Sequence, residues 1–349
     1  MKIKLTKQEK NWILYDVGNS AFTLLAATIL PIYFNYIAGK QGLSDVQYLA
    51  YWGYAVSIAT LLTALAGPVF GTVADTKGYK KPVFTIALGI GAIASVALGF
   101  AKYWLAFLVV FVIAKVGYSV TLVFYDSMLV DVTLEDRMDE VSSQGYAWGY
   151  IGSCVPFVIC LLVVLNAGKI GITMEIAMMV SFVIITVWWV IMTLPLLKTY
   201  HQKYYVEKKQ HAFSESFKRI GITLKNVKKE KKVFLFLLAF FFYIDGVYTI
   251  IDMATAYGSA LGLSSTGLLL ALLLTQIVAF PFAIIFGRLA KKYSAEKLIT
   301  VCIVAYLGVA IFAIFLHYQW QFWVLAVWVG MFQGGVQALS RSYFTKMIP

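Results

Sequence analysis

Residues Val233–Tyr257, VFLFLLAFFFYIDGVYTIIDMATAY, decide the fold. Up to Tyr243 the stretch is apolar enough to sit in lipid, and about 20 such residues cross a bilayer as a helix. Asp245 then stands about halfway along, and Asp252 follows seven residues later. At ~100° per residue, that spacing returns a side chain to almost the same helical face. A carboxylate near the bilayer centre costs roughly 2.5–3.5 kcal/mol on insertion scales. Two on one face therefore predict a helix with one side turned to a wet interior. Structural capping, or a neutral aspartic acid bonded to a neighbouring backbone, is the alternative.

The rest of the chain has the same character. It is 61% hydrophobic and 13% charged over 349 residues, with a mean hydropathy of +0.80. That composition belongs to an all-α polytopic membrane protein. The net charge of +12 does not mark a nucleic-acid binder, because the Lys and Arg residues fall between apolar stretches, mostly in alternate loops. Cys154, Cys160 and Cys302 lie inside apolar segments and act as small hydrophobes. The basic N-terminus leads into a helix interrupted by Asp16 and Asn19, so it reads as an uncleaved first span.

Ten spans are expected, at about 11–38, 48–73, 83–101, 104–130, 145–165, 176–197, 233–257, 263–286, 298–316 and 322–344. They divide into a six-helix half over 1–197, a basic loop over 198–232 and a second part over 233–349. In span one, Asp16, Asn19 and Thr23 share a face, and Pro31 is expected to kink the outer part. Lys115 lies near the middle of span four, with Asp126 near its end. Ser142 or Ser143 is placed to cap span five, and Gly145, Gly149 and Gly152 permit a close helix approach. Span ten carries Gln333, Gln337 and Arg341 at steps of four, a polar stripe. Within the central loop, Phe213, Phe217, Ile220, Leu224 and Val227 oppose Lys218, Arg219, Lys225, Lys228 and Lys229. That pattern predicts an amphipathic helix on an anionic inner leaflet. The distribution of basic residues places both ends of the chain in the cytoplasm.

The two parts echo one another. Tyr15–Asp16–Val17–Gly18 resembles Tyr243–Ile244–Asp245–Gly246, and GTVADTKGYKK after span two resembles GRLAKKYSAEK after span eight. Repeated halves around a central cavity are a transporter layout. Gly71, Asp75, Lys77, Gly78, Lys80 and Lys81 resemble the gating-loop motif of the major facilitator superfamily, with Thr76 where that family has a basic residue. In the second copy Lys291 replaces the Asp and Ser294 the Gly. YDVGNSAF, YDSMLVDV, VSSQGYAWGYIGS, FFYIDGV and GGVQALSRSYF together resemble the branch of the vacuolar amino-acid effluxers and their bacterial relatives. This resemblance implies a twelve-helix transporter with spans one, four, seven and ten lining the path. The ten spans then suggest a fragment. It also implies that Asp75 would face the eleventh helix, and that Asp16, Asn19, Lys115, Asp126, Asp245, Gln333, Gln337 and Arg341 converge.

No phosphate-binding loop, zinc-protease motif or hydrolase elbow occurs, and His201, His211 and His317 all lie in loops. An enzyme is not expected, nor is a cofactor or metal. The expectation is a monomeric secondary transporter of small solutes in a bacterial cytoplasmic membrane, exporting amino acids by alternating access with possible proton coupling. Lipid, drug or sugar transport and a receptor or scaffold role are the alternatives. Lys115 and Asp245 sit at similar estimated depth and are expected to pair, as a substrate clamp or as a permanent strut. Asp245 is the first candidate for the proton site, Asp16 or Asp126 the second, and Asp252 lies nearer the far interface. Arg341 and Asp126 either bridge the halves as an inner gate or snorkel into headgroups.

Overall fold

The computed structural model describes residues 4–207 and 230–347. Within them ten helices are long and apolar enough to cross a membrane. They are span one (Lys7–Lys40), two (Asp45–Ala74), three (Lys80–Phe100), four (Trp104–Ser127) and five (Glu135–Leu165). Span six (Met174–Thr199), seven (Lys231–Ala260), eight (Ser265–Leu289), nine (Ala295–Ala313) and ten (Gln319–Met347) complete the set. The amphipathic helix expected around residues 213–229 lies outside the described residues.

Spans alternate in direction. One face of the bundle, called here the basic face, therefore carries the start of span one and the loops at 75–79, 128–134 and 290–294. The starts follow from local chemistry. Thr6 and Glu9 form a reciprocal capping box at span one, as do Ser44 and Gln47 at span two, and each box satisfies amide groups that a helix start leaves open. Span one breaks at Thr28, three residues before Pro31. Proline has no N–H and its ring displaces the carbonyl four residues back, which here is Ala27.

Span five corrects the sequence reading. Its helix runs over Met138–Leu165, with Arg137 at the N-cap, so Ser142 and Ser143 lie inside it rather than capping it. Asp139 and Glu140 hide this turn from a hydropathy reading, yet carboxylates are favourable at the positive end of a helix.

Two apolar cores form. One joins the first six spans around Trp12, Phe22, Phe84, Phe111 and Trp189, and the other joins the last four around Leu298, Cys302, Tyr306 and Val329. Spans three and four cross so closely that a Cβ on Gly117 would lie 2.7 Å from the Gly91 backbone. A small third cluster, Ala147, Tyr150, Ala279 and Ala283, joins span five to span eight. Span one is mostly buried, whereas span seven buries only Val247, Asp252, Thr255, Ala256 and Gly258. Span seven therefore leans on the bundle at its far end and stands clear nearer the basic face.

Candidate functional site

The site is built where span ten meets spans one, four and five near the basic face. Arg341 is buried and does not snorkel. Its Nε donates to Ser142 Oγ at 2.9 Å and its Nη2 to the Ser142 carbonyl at 2.9 Å. Nη1 donates to Asp126 Oδ1 at 3.1 Å, and Nη1 and Nη2 reach Asp16 Oδ2 at 3.5 and 3.4 Å. All five guanidinium N–H groups thus have acceptors. Its planar group also faces the rings of Tyr146, Trp12 and Tyr125, with centroids at 4.3, 4.6 and 5.3 Å. Asp16 is held independently, by Tyr125 OH at 2.8 Å and by Asn19 Nδ2 at 3.3 Å.

Other bonds close the same face. Ser142 Oγ donates to the Ala338 carbonyl at 2.9 Å, Tyr150 OH donates to Gln337 Oε1 at 2.6 Å, and Lys346 pairs with Asp139 at 2.6 Å. Lys291, which stands where the first motif copy has Asp75, pairs with Glu140 across the interface. Gln333 is buried on the stripe it shares with Gln337 and Arg341.

Toward the opposite face a second set of contacts joins span seven to the first six spans. Lys115 Nζ donates to Asp252 Oδ1 at 2.8 Å. The expected Lys115–Asp245 pair does not form: Asp245 is exposed on the part of span seven that stands away from the bundle. Thr255 donates to the Ala27 carbonyl, the group displaced by Pro31. Asn35 donates to Ser259 Oγ at 3.3 Å. Charged and polar layers therefore connect the two parts of the chain both near the basic face and toward the opposite face.

The loop motif divides into separate jobs. Gly78 has φ of +79°, which a residue with a Cβ rarely adopts. Lys80 is buried beside Asp131 at 3.5 Å, whereas Lys77 makes an exposed pair with Glu207 at 3.2 Å, and Lys81 is exposed. Gly71 has open space where a Cβ would point. Asp75 accepts through its carbonyl from Val206 N at 2.8 Å, and Lys77 N donates to the Val206 carbonyl at 3.0 Å. Asp131, which sequence reasoning missed, also accepts from Lys203 N at 2.9 Å, from Tyr204 N at 3.1 Å and from Tyr200 OH. Burial, then the bond to Asp131, pushes the Tyr200 phenol up, so it stays a proton donor.

Gly145 was legible only as a packing residue. A Cβ there would lie 2.5 Å from Asp16 Oδ2 and 3.2 Å from Arg341 Nη2, so its bare backbone makes room for the ion pair. Gly149 and Gly152 serve closer packing, against Ser20 and Val17. Gly145→Ala is expected to lower transport about tenfold, since a lost charge-assisted bond is worth roughly 1.5–3 kcal/mol. Initial flux from proteoliposomes, measured beside the melting temperature, checks this. Unchanged flux would mean that the Asp16–Arg341 contact is dispensable.

The chain matches the family model described as "Vacuole effluxer Atg22 like" over residues 6–136 and 130–349. It is 44% identical to the MFS-type transporter YxiO of Bacillus subtilis (strain 168), over 100% of this chain and 83% of that protein. It is 24% identical to autophagy-related protein 22 of Eremothecium gossypii, over 92% of this chain and 69% of that protein. Among solved structures, the inward open conformation of the xylose transporter XylE from E. coli aligns with a TM-score of 0.65 at 12% identity. That alignment covers 97% of this chain and 88% of the other.

Proposed function

The chain belongs to the family of Atg22-like vacuole effluxers, transporters of the major facilitator type, and on that premise we propose that it exports amino acids across a bacterial cytoplasmic membrane. It is a multi-pass membrane transporter of small molecules and not an enzyme. In this reading the basic face is cytoplasmic and lies against an anionic leaflet, the protein works as a monomer, and the two parts of the chain rock about the site.

The observation that carries the substrate class is the Lys115–Asp252 pair, 2.8 Å apart and contributed by different parts of the chain. Both side chains are largely buried, so separating them without replacement partners costs several kcal/mol per ion. A zwitterion supplies both partners at once, its carboxylate to Lys115 and its ammonium to Asp252. One ion pair becomes two and no charge is stranded. Proton coupling is supported by the charge count at the inner gate. One guanidinium faces two carboxylates, Asp16 and Asp126, an excess that a single proton balances. Asp126, the more exposed of the two, is the better-placed proton acceptor.

The test is flux from proteoliposomes holding the full gene product and loaded with mixed amino acids, with and without a pH gradient. Gradient-stimulated efflux, with the stimulation lost in Asp126→Asn, is the expected result. Efflux indifferent to the gradient would remove the proton, and absence of flux from folded protein would remove amino acids as cargo.

A further inference from the structure

The guanidinium site is divided between two partners that must separate. Arg341 is supplied by span ten, whereas every group that receives it belongs to spans one, four and five. Three of the receiving groups, Trp12, Asp16 and Tyr125, also hold each other in place without Arg341. Trp12 stacks on Tyr125 with centroids 4.3 Å apart and donates through Nε1 to the Tyr125 carbonyl at 3.1 Å. Tyr125 OH and Asn19 fix Asp16. A receptor whose walls are bonded to one another keeps its shape when emptied, which lowers the cost of filling it again.

We propose that Trp12, Asp16, Tyr125, Asp126, Ser142 and Tyr146 form a receptor for an organic cation, occupied by Arg341 when the basic face is closed and by the ammonium or guanidinium group of the cargo when Arg341 withdraws. The inference rests on the transport reading and extends it, since it adds a second cation site to the path beyond Asp252. Opening the basic face requires Arg341 to leave with span ten. One buried and one partly buried carboxylate then remain without their cation, beside three aromatic rings. A proton balances one charge but makes no use of the ring faces. Aromatic walls within about 6 Å favour a cation with its own apolar or planar surface over a hydrated alkali ion. The Ser142 carbonyl and hydroxyl, both bonded to Arg341, add directional acceptors for N–H donors. Arg341 is thus the intramolecular competitor of the cargo, and cargo arrival and gate opening become one exchange.

The test is made on purified full-length Arg341→Ala, with methylguanidinium and tetramethylammonium as probes and sodium chloride and urea as controls. A saturable rise in melting temperature of about 3 °C or more with the organic cations is expected. It should be absent with the controls and lost in Asp16→Asn/Arg341→Ala. Equal shifts with sodium, or none, overturn the receptor. A second measurement does not depend on that variant folding. In protein whose three native cysteines are alanine, Ser143→Cys reports opening of the basic face, because Ser143 is buried there against Gly287 of span eight. Methylguanidinium, but not urea, is expected to speed its alkylation by displacing Arg341; equal rates overturn the proposal. Neither measurement reads flux, so the receptor can fail while amino-acid export stands, and the reverse.

Discussion

Replacing Arg341 by lysine is expected to reduce transport by about a hundredfold, although the positive charge is kept. The reason is geometric. The guanidinium uses all five N–H groups in one plane, on acceptors from three spans, and lies against the rings of Trp12, Tyr125 and Tyr146. An ammonium has three donors at a point and cannot serve Ser142, Asp126 and Asp16 together while filling the space between the rings. Disrupting a buried pair of this kind costs about 3–5 kcal/mol, and each 1.4 kcal/mol is a factor of ten. The loss falls on the state with the basic face closed, in which Arg341 bridges the two parts of the chain. Arg341→Lys should therefore melt within a few degrees of wild type while Ser143→Cys becomes readily alkylated from the basic face. Full flux with an unchanged alkylation rate would mean that Arg341 does not hold the gate.

The candidate site residues differ in how far the chain announces them. Asp16 and Asn19 are three apart on one helix, so their contact follows from helical spacing, and they do bond at 3.3 Å. Arg341 and Asp126 both fall near the ends of their spans, and depth alone left open whether Arg341 bridges or snorkels. What decides it is a set of groups with no marked sequence signal. The Ser142 hydroxyl and carbonyl lie on a turn that looked like a loop, and Gly145 is bare where the Asp16 carboxylate must sit. The Lys115 partner was missed for a related reason. Asp245 and Asp252 share a face but stand about 10.5 Å apart along the axis. Which of them meets Lys115 depends on where span seven crosses the bundle. That crossing is fixed by Thr255 on the carbonyl freed by Pro31 and by Asn35 on Ser259, contacts more than 200 residues apart in the chain. Lys80 was read from its motif, whereas Asp131, although it falls within the quoted YDSMLVDV, lies in a short turn outside every apolar span, where spacing gives no sign of its partner.

Exchanging the charges of the second pair, in Lys115→Asp/Asp252→Lys, is expected to leave a folded protein that no longer transports. Each single change strands an ion in a largely buried place, at about 3–5 kcal/mol, so Lys115→Ala and Asp252→Ala should each lower both flux and stability. The exchange restores one cation opposite one anion and should return most of the melting temperature. A strut needs nothing more, and under that reading flux would return with stability. A clamp needs more, because the polarity of the pair sets which way a zwitterion lies. With the signs reversed, the carboxylate of the cargo would point to span seven and its ammonium to span four. Its side chain would then meet a different wall, and the remaining contacts would be made to the wrong groups. Binding energy that does not fit the reacting or moving state contributes nothing to rate. Recovery of melting temperature with flux at least tenfold below wild type is therefore the signature of a clamp. Recovery of both would reassign Lys115–Asp252 to the scaffold and leave the cation receptor around Asp16 as the site of recognition.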